Sequence, residues 1–166
     1  MKNFHYLLLA LVFFACKKDK DPEIEKPEQP KKIYFTGITR TNASGIIIST
    51  DSTDWKFNDT WVEQEEKLFS TTNETLCTTP HTHNIFAYPN PSDGIFSLYV
   101  KKDSATRIQI RLVDQDFKVI LSRDTVFTGV SLINVKATAP KDTIRMYYKF
   151  IDGTCVRKGH GDLLIQ

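Results

Sequence analysis

The sequence predicts a mostly-β protein whose C-terminal half is an antiparallel β-sandwich of about seven short strands. Three observations lead there. Apolar residues make up 40% of the chain and lean toward β-branched and aromatic types, with 11 Phe and 6 Tyr. Beyond residue 85, short runs rich in Ile, Val, Phe and Tyr alternate with polar residues and are cut by turn signals at sandwich-like spacing. No stretch of that half sustains apolar residues at i, i+3, i+4 and i+7, the spacing a half-buried helix needs.

The strands follow one by one. Residues 95–100 put Phe96, Leu98 and Val100 on one face, and residues 107–113 set Ile108, Ile110 and Leu112 against Arg107, Gln109 and Arg111. Ile144, Met146, Tyr148 and Phe150 repeat the alternation. Asp152-Gly153 supplies a tight hairpin turn because both residues tolerate positive φ, and the chain finishes on Leu163-Leu164-Ile165. Short strands closed by tight turns in this way are the arrangement of an Ig-like sandwich over residues 85–166.

Ahead of the sandwich, residues 33–69 read as a small hairpin and a short helix. "IYFTGIT" and "IIISTD" flank the polar turn "RTNASG". Thr60 to Glu63 fits a capping box, with Trp61, Val62, Glu65, Leu68 and Phe69 along one side of the helix that follows. So short a segment cannot enclose a core of its own, and Trp55, Phe57, Trp61 and Phe69 would stand exposed. It is expected to dock on the sandwich. The competing use of "STDWKFNDTW", with Trp55, Phe57 and Trp61, is an aromatic surface on which a sugar stacks. Residues 70–84, Thr-rich and without periodicity, form a connector.

The first 15 residues read as an export signal, with Lys2 and His5 ahead of the apolar run "YLLLALVFFA". Ten residues at ~1.5 Å each cover about half of a ~30 Å hydrocarbon core, so the run is a signal and not a membrane span. Ala15-Cys16 places a small residue before cysteine, which makes Cys16 the expected lipidated N-terminus. Residues 16–32, "CKKDKDPEIEKPEQPKK", are polar and Pro-punctuated and read as a solvated tether reaching about 50 Å. This start resembles the lipoproteins of gliding and related Gram-negative bacteria, in which Cys followed by Lys and acidic residues goes with the outer leaflet of the outer membrane. The resemblance implies a lipid-anchored outer-membrane protein at the cell surface.

"YPNPSDGIF" opens the sandwich. Pro89 and Pro91 fix φ and bias Tyr88 and Asn90 toward extended backbone, and Ser92-Asp93-Gly94 then reverses the chain. Tyr-Pro-Asn-Pro-x-x-Gly before an alternating strand resembles the opening of the type A C-terminal sorting domain of the type IX secretion system. The later part of that pattern, an Asp-x-x-Gly-Lys turn, is similar to Asp114-Gln115-Asp116-Phe117-Lys118, with Phe117 in the glycine's place. Met146-Tyr147-Tyr148 stands where that family has its Tyr-containing strand. The chain closes "GHGDLLIQ", without the family's final lysines. The resemblance covers residues 86–166. It implies one alternative role, cargo of that system with residues 33–69 as passenger and the sandwich as a sorting tag.

Chemistry leaves fewer marks. Net charge is +2 with both signs scattered, which excludes a basic face for nucleic acid. There is no Ser-His-Asp order, Gly-rich phosphate loop or HExxH, so the chain is read as non-enzymatic, with no catalytic residue and no cofactor. His81 and His83, with Cys77, Cys155 and His160, are the soft ligands to weigh, but paired histidines in a polar loop are commonly solvated and no metal is expected. With Cys16 acylated, Cys77 and Cys155 remain as an even pair in an oxidising compartment. They either bridge the connector to the last hairpin or stay as two buried thiols. The expected role is a binding or assembly module with a protein partner in the outer membrane.

Overall fold

A computed structural model of the chain describes residues 32–57, 60–70 and 74–166. The export signal, Cys16 and the tether as far as residue 31 lie outside the described residues. Over the described residues the protein is mostly β, a sandwich of antiparallel sheets with one short helix. Among the described residues no helix is long and apolar enough to cross a membrane.

Four short strands precede the sandwich proper: β1 (Arg40–Thr41), β2 (Ile47–Ser49), β3 (Lys56–Phe57) and β4 (Thr75–Leu76), with helix α1 (Glu63–Glu66) between the last two. Seven strands follow: β5 (Asn84–Tyr88), β6 (Ile95–Lys101), β7 (Arg107–Val113), β8 (Val119–Arg123), β9 (Gly129–Asn134), β10 (Thr143–Asp152) and β11 (Cys155–Leu164). One sheet runs β3-β11-β10-β7-β8, with β4 added parallel to the start of β11. The other is β5-β6-β9, and β1 and β2 pair with each other.

The period-2 alternation sets both inner faces. Ile108, Ile110, Leu112, Ile144, Met146, Tyr148 and Phe150 from the larger sheet meet Ile85, Ala87, Phe96, Leu98, Val100 and Ile133 from the smaller one in a single buried cluster. At about 2 kcal/mol for each large side chain removed from water, this layer is the main source of stability. Two glycines let it close. Cβ atoms at Gly159 and Gly161 would fall 2.6 Å from the Tyr148 ring and 2.3 Å from the Trp55 ring, so β11 must be bare there for Trp55 to stack on Tyr148.

Residues 33–69 are part of this architecture. β3 pairs with β11, Gly159 opposite Phe57, and the Phe57 ring packs edge-on against Tyr148 and Phe150 in the core. On the outer face of the same sheet, Ile33 and Phe69 bury against Val113 and Tyr147, with Trp61 and Leu68 beside them. Cations seal that contact. Lys149, wholly buried, lies 4.9 Å from the Phe69 ring centre and pairs with Glu74 at 2.5 Å; Arg111 lies 5.0 Å from the same ring. The aromatics considered as a sugar platform are thereby packed, Trp61 against Phe69 and Tyr147.

Three local details differ from the sequence reading. The helix caps at Val62, whose N–H donates to Glu65 Oε2 at 2.8 Å, so the reciprocal acid sits two residues later than the Thr60-Glu63 box. The last hairpin turns on Gly153 and Thr154, since Asp152 pairs with Cys155 and Gly153 takes φ +63°. Phe117 takes φ +61°, the left-handed region that glycine favours. Asp114 holds that turn by accepting the N–H groups of Asp116 and Lys118 at 3.0 and 2.9 Å, and the Phe117 ring is stacked on Tyr147.

Candidate functional site

The Tyr88–Gly94 corner is a structural hub. Both of its X-Pro bonds are cis, and Asn90 is fully buried. Its Nδ2 donates to the carbonyls of Thr39 at 2.7 Å and Asp162 at 2.8 Å, while its Oδ1 accepts from the N–H of Leu164 at 2.9 Å. Ser92 then takes the chain end: its N–H donates to the Leu164 carbonyl at 3.0 Å and its carbonyl accepts from Gln166 at 2.9 Å. Gly94 is needed at φ +92° because a Cβ would meet the Lys136 Cα at 2.7 Å. One motif thus ties together the segment before β1, the sandwich corner and the last strand.

At one end of the sandwich lies an open cleft of about 300 Å³ lined by Thr79, His81, His83, Thr106, Asp152 and Arg157. The parallel pairing of β4 with β11 positions it, bringing Cys77 to Cys155, and the two are joined by a disulfide with Cα atoms 5.0 Å apart. Arg157 fastens the connector by donating to the carbonyls of Cys77 at 3.2 Å and Thr79 at 2.6 Å. His83 Nε2 stands 3.0 Å from Asp152 Oδ2, and His81 stacks on His83 with ring centres 5.3 Å apart. Burial opposes ionisation of Asp152, but its bonds from Thr106 and His83 outweigh burial and hold the carboxyl below its usual range. Burial, then the charges of Arg157 and His83, lower the His81 pKa. The His-Asp pair fixes one imidazole with its Nδ1 buried and unpartnered, an arrangement that locks a connector in place.

The soft ligands weighed from sequence do not assemble as a set. Cys77 and Cys155 are bonded to each other, and His81 and His83 sit at the cleft. The His160 ring instead shares a buried cluster with Asp54 and Asp162, whose ligand atoms all lie within 4.8 Å of one another. Asp54 Oδ2 accepts from the N–H of Thr39 at 2.7 Å and its Oδ1 from the N–H of Asp162 at 3.0 Å. Arg145 grips Asp162 with two bonds of 2.6 and 2.7 Å. Burial, with Asp162 alongside, pushes the Asp54 carboxyl up to about 6; burial also raises Asp162 against the pull of Arg145. Burial and the Arg145 charge push His160 down to about 4. Sequence reasoning missed this cluster because its members come from a loop and a strand 108 positions apart, and neither carries a ligand spacing.

The outer face of the smaller sheet is apolar. The Phe86 and Tyr99 rings lie 5.0 Å apart across β5 and β6, and Tyr99 pairs with Val130 on β9. Val130 and Leu132 are 59% and 66% exposed, and β9, "GVSLIN", is an edge strand with no charged residue to guard it.

No family model matches the chain, and no curated protein or solved structure matches it either.

Proposed function

We propose that the chain is a lipid-anchored protein of the outer membrane, held at the cell surface through Cys16, whose β-sandwich is a non-enzymatic binding or assembly module and an accessory subunit of a larger outer-membrane complex. The observation that carries this reading is the weaving of residues 33–69 into the sandwich. β3 extends the β11 side of the larger sheet, and Phe57 sits against its core. A passenger and a detachable tag would have separate cores, whereas here one core and one sheet serve both.

A protein partner suits the free edge of β9. Among the described residues its outer backbone groups have no strand partner, and with Val130 and Leu132 beside them they fit an added strand from a partner protein, main-chain bonds giving affinity and the two apolar side chains contact area. Lysine at both positions would guard the edge while leaving the inward Ile133 untouched. The double variant Val130→Lys, Leu132→Lys is expected to fold and reach the membrane yet lose the partner that the unmodified protein brings out of detergent-solubilised outer membranes. Recovery of the same partner by the variant contradicts the edge assignment, and recovery of the unmodified protein alone contradicts the subunit reading.

The Tyr-Pro-Asn-Pro-Ser-Asp-Gly corner favours a second reading, cargo of the type IX secretion system with the sandwich as its sorting tag. The two differ in covalent fate: cargo loses or modifies its C-terminal domain, whereas a resident module keeps it.

A further inference from the structure

The charges around His160 do not balance. Asp54 and Asp162 are buried side by side, 4% and 2% exposed, and Asp51 stands close enough to act electrostatically on both His160 and Asp162. Arg145 is the single cation that pairs with these carboxylates among the described residues. Two buried carboxylates against one guanidinium leave a negative charge in a medium that penalises it, and such a charge is normally neutralised by a cation or a proton.

The imidazole is the second, independent observation. His160 is 9% exposed, and its ring nitrogens have no hydrogen-bond partner among the described residues, yet one of them faces the carboxylate oxygens within 4.8 Å. An imidazole largely enclosed by the fold, without a hydrogen-bond partner among the described residues and beside two carboxylates, offers a nitrogen lone pair to a metal ion.

The geometry points to a divalent metal site made of one oxygen of Asp54, one oxygen of Asp162 and a ring nitrogen of His160, fitted to a borderline-hard ion such as Zn²⁺ or Mn²⁺. Around zinc, ligand atoms at about 2.1 Å in a tetrahedral arrangement lie about 3.4 Å from one another. The present limit of 4.8 Å therefore asks for an inward shift of at most about 1.4 Å, within reach of side-chain rotation. Each carboxylate oxygen keeps a lone pair after its present bond. The N–H groups of Thr39 and Asp162 on Asp54, and Arg145 on Asp162, then act as the outer partners that orient ligating carboxylates. Asp51, fixed by two bonds from Thr53 of 2.8 and 2.6 Å, adds negative charge at the rim. The site departs from the sequence expectation of no metal, and it clamps the loop before β3 onto β11.

The test uses the full chain in detergent, stripped with chelator and titrated with Zn²⁺ alone and Mn²⁺ alone. Calorimetry is expected to show one equivalent bound with a rise in Tm, and His160→Gln to weaken binding at least tenfold, while His81→Gln leaves it unchanged. Ring resonances give a reading that needs no variant: Mn²⁺ is expected to broaden the His160 imidazole ahead of those of His81 and His83. Absence of stoichiometric binding overturns the site. So does binding that survives His160→Gln and broadens His81 or His83 first, which would move the metal to the cleft.

Discussion

Replacing Asn90 by alanine is expected to destabilise the protein by about 4 kcal/mol, among the largest effects any single side chain here can produce. The side chain is 0% exposed and makes three bonds to main-chain groups of Thr39, Asp162 and Leu164, bridging the segment before β1 to the last strand. Alanine leaves two carbonyls and one N–H without partners, each costing about 1–3 kcal/mol when buried, and water entering the vacated space recovers part of that. Asn90→Asp should do no better, because it keeps the acceptor for Leu164 but turns the donors to Thr39 and Asp162 into lone pairs facing carbonyls. Urea unfolding followed by tryptophan fluorescence checks this, since Trp55 stacks on Tyr148 next to the segment that would loosen. A loss under about 1 kcal/mol would contradict the hub assignment.

Opening the Cys77–Cys155 disulfide is expected to be comparably costly. The bond closes a loop with sequence separation 78, and the chain-entropy relation gives about 4.5 kcal/mol for a loop of that length. The Cys77→Ser, Cys155→Ser double variant should therefore lose about 4 kcal/mol, or about 15 °C in Tm for a domain of this size. The cleft should loosen with it, because Arg157 holds the connector through the carbonyls of Cys77 and Thr79. Hydrogen exchange localises the effect: faster exchange at Leu76–Thr79 with β10 unchanged is the expected pattern. A Tm unaltered by the double variant would show that the parallel pairing of β4 with β11 holds the connector without the bond.

The sandwich was legible because its information is local. Alternation over 95–100, 107–113 and 144–150 assigns an inner face residue by residue, and those residues are buried in β6, β7 and β10; that Arg111, Val113, Tyr147 and Lys149 on the other face of β7 and β10 are buried as well follows from the docking of residues 33–69, which alternation does not report. What escaped depends on contacts made across long stretches of chain. β3 and β4 are two residues each, too short to carry a period, and exist only because β11 offers them an edge. Phe117 stands where a glycine would be expected, and the cost of its left-handed backbone is offset by Asp114 beneath the turn and Tyr147 against its ring. Asp54 and Asp162 gave no signal as neighbours of His160 because that geometry is created by the docking of one segment on another. The histidines that drew attention in sequence, His81 and His83, were conspicuous only for being neighbours.

A lipid-anchored resident module requires residues 33–166 to persist as a single unit attached through Cys16. Intact-mass measurement of the protein recovered from outer-membrane fractions addresses both ends at once. The expected species begins at an acylated Cys16, carries the Cys77–Cys155 bond and extends to Gln166, because Ser92 and Asn90 pin the last strand and that strand carries β3. A mature chain that ends near Thr79, or one that lacks acyl mass on Cys16, would contradict it, the first by making the sandwich a removable tag and the second by leaving the protein without its anchor.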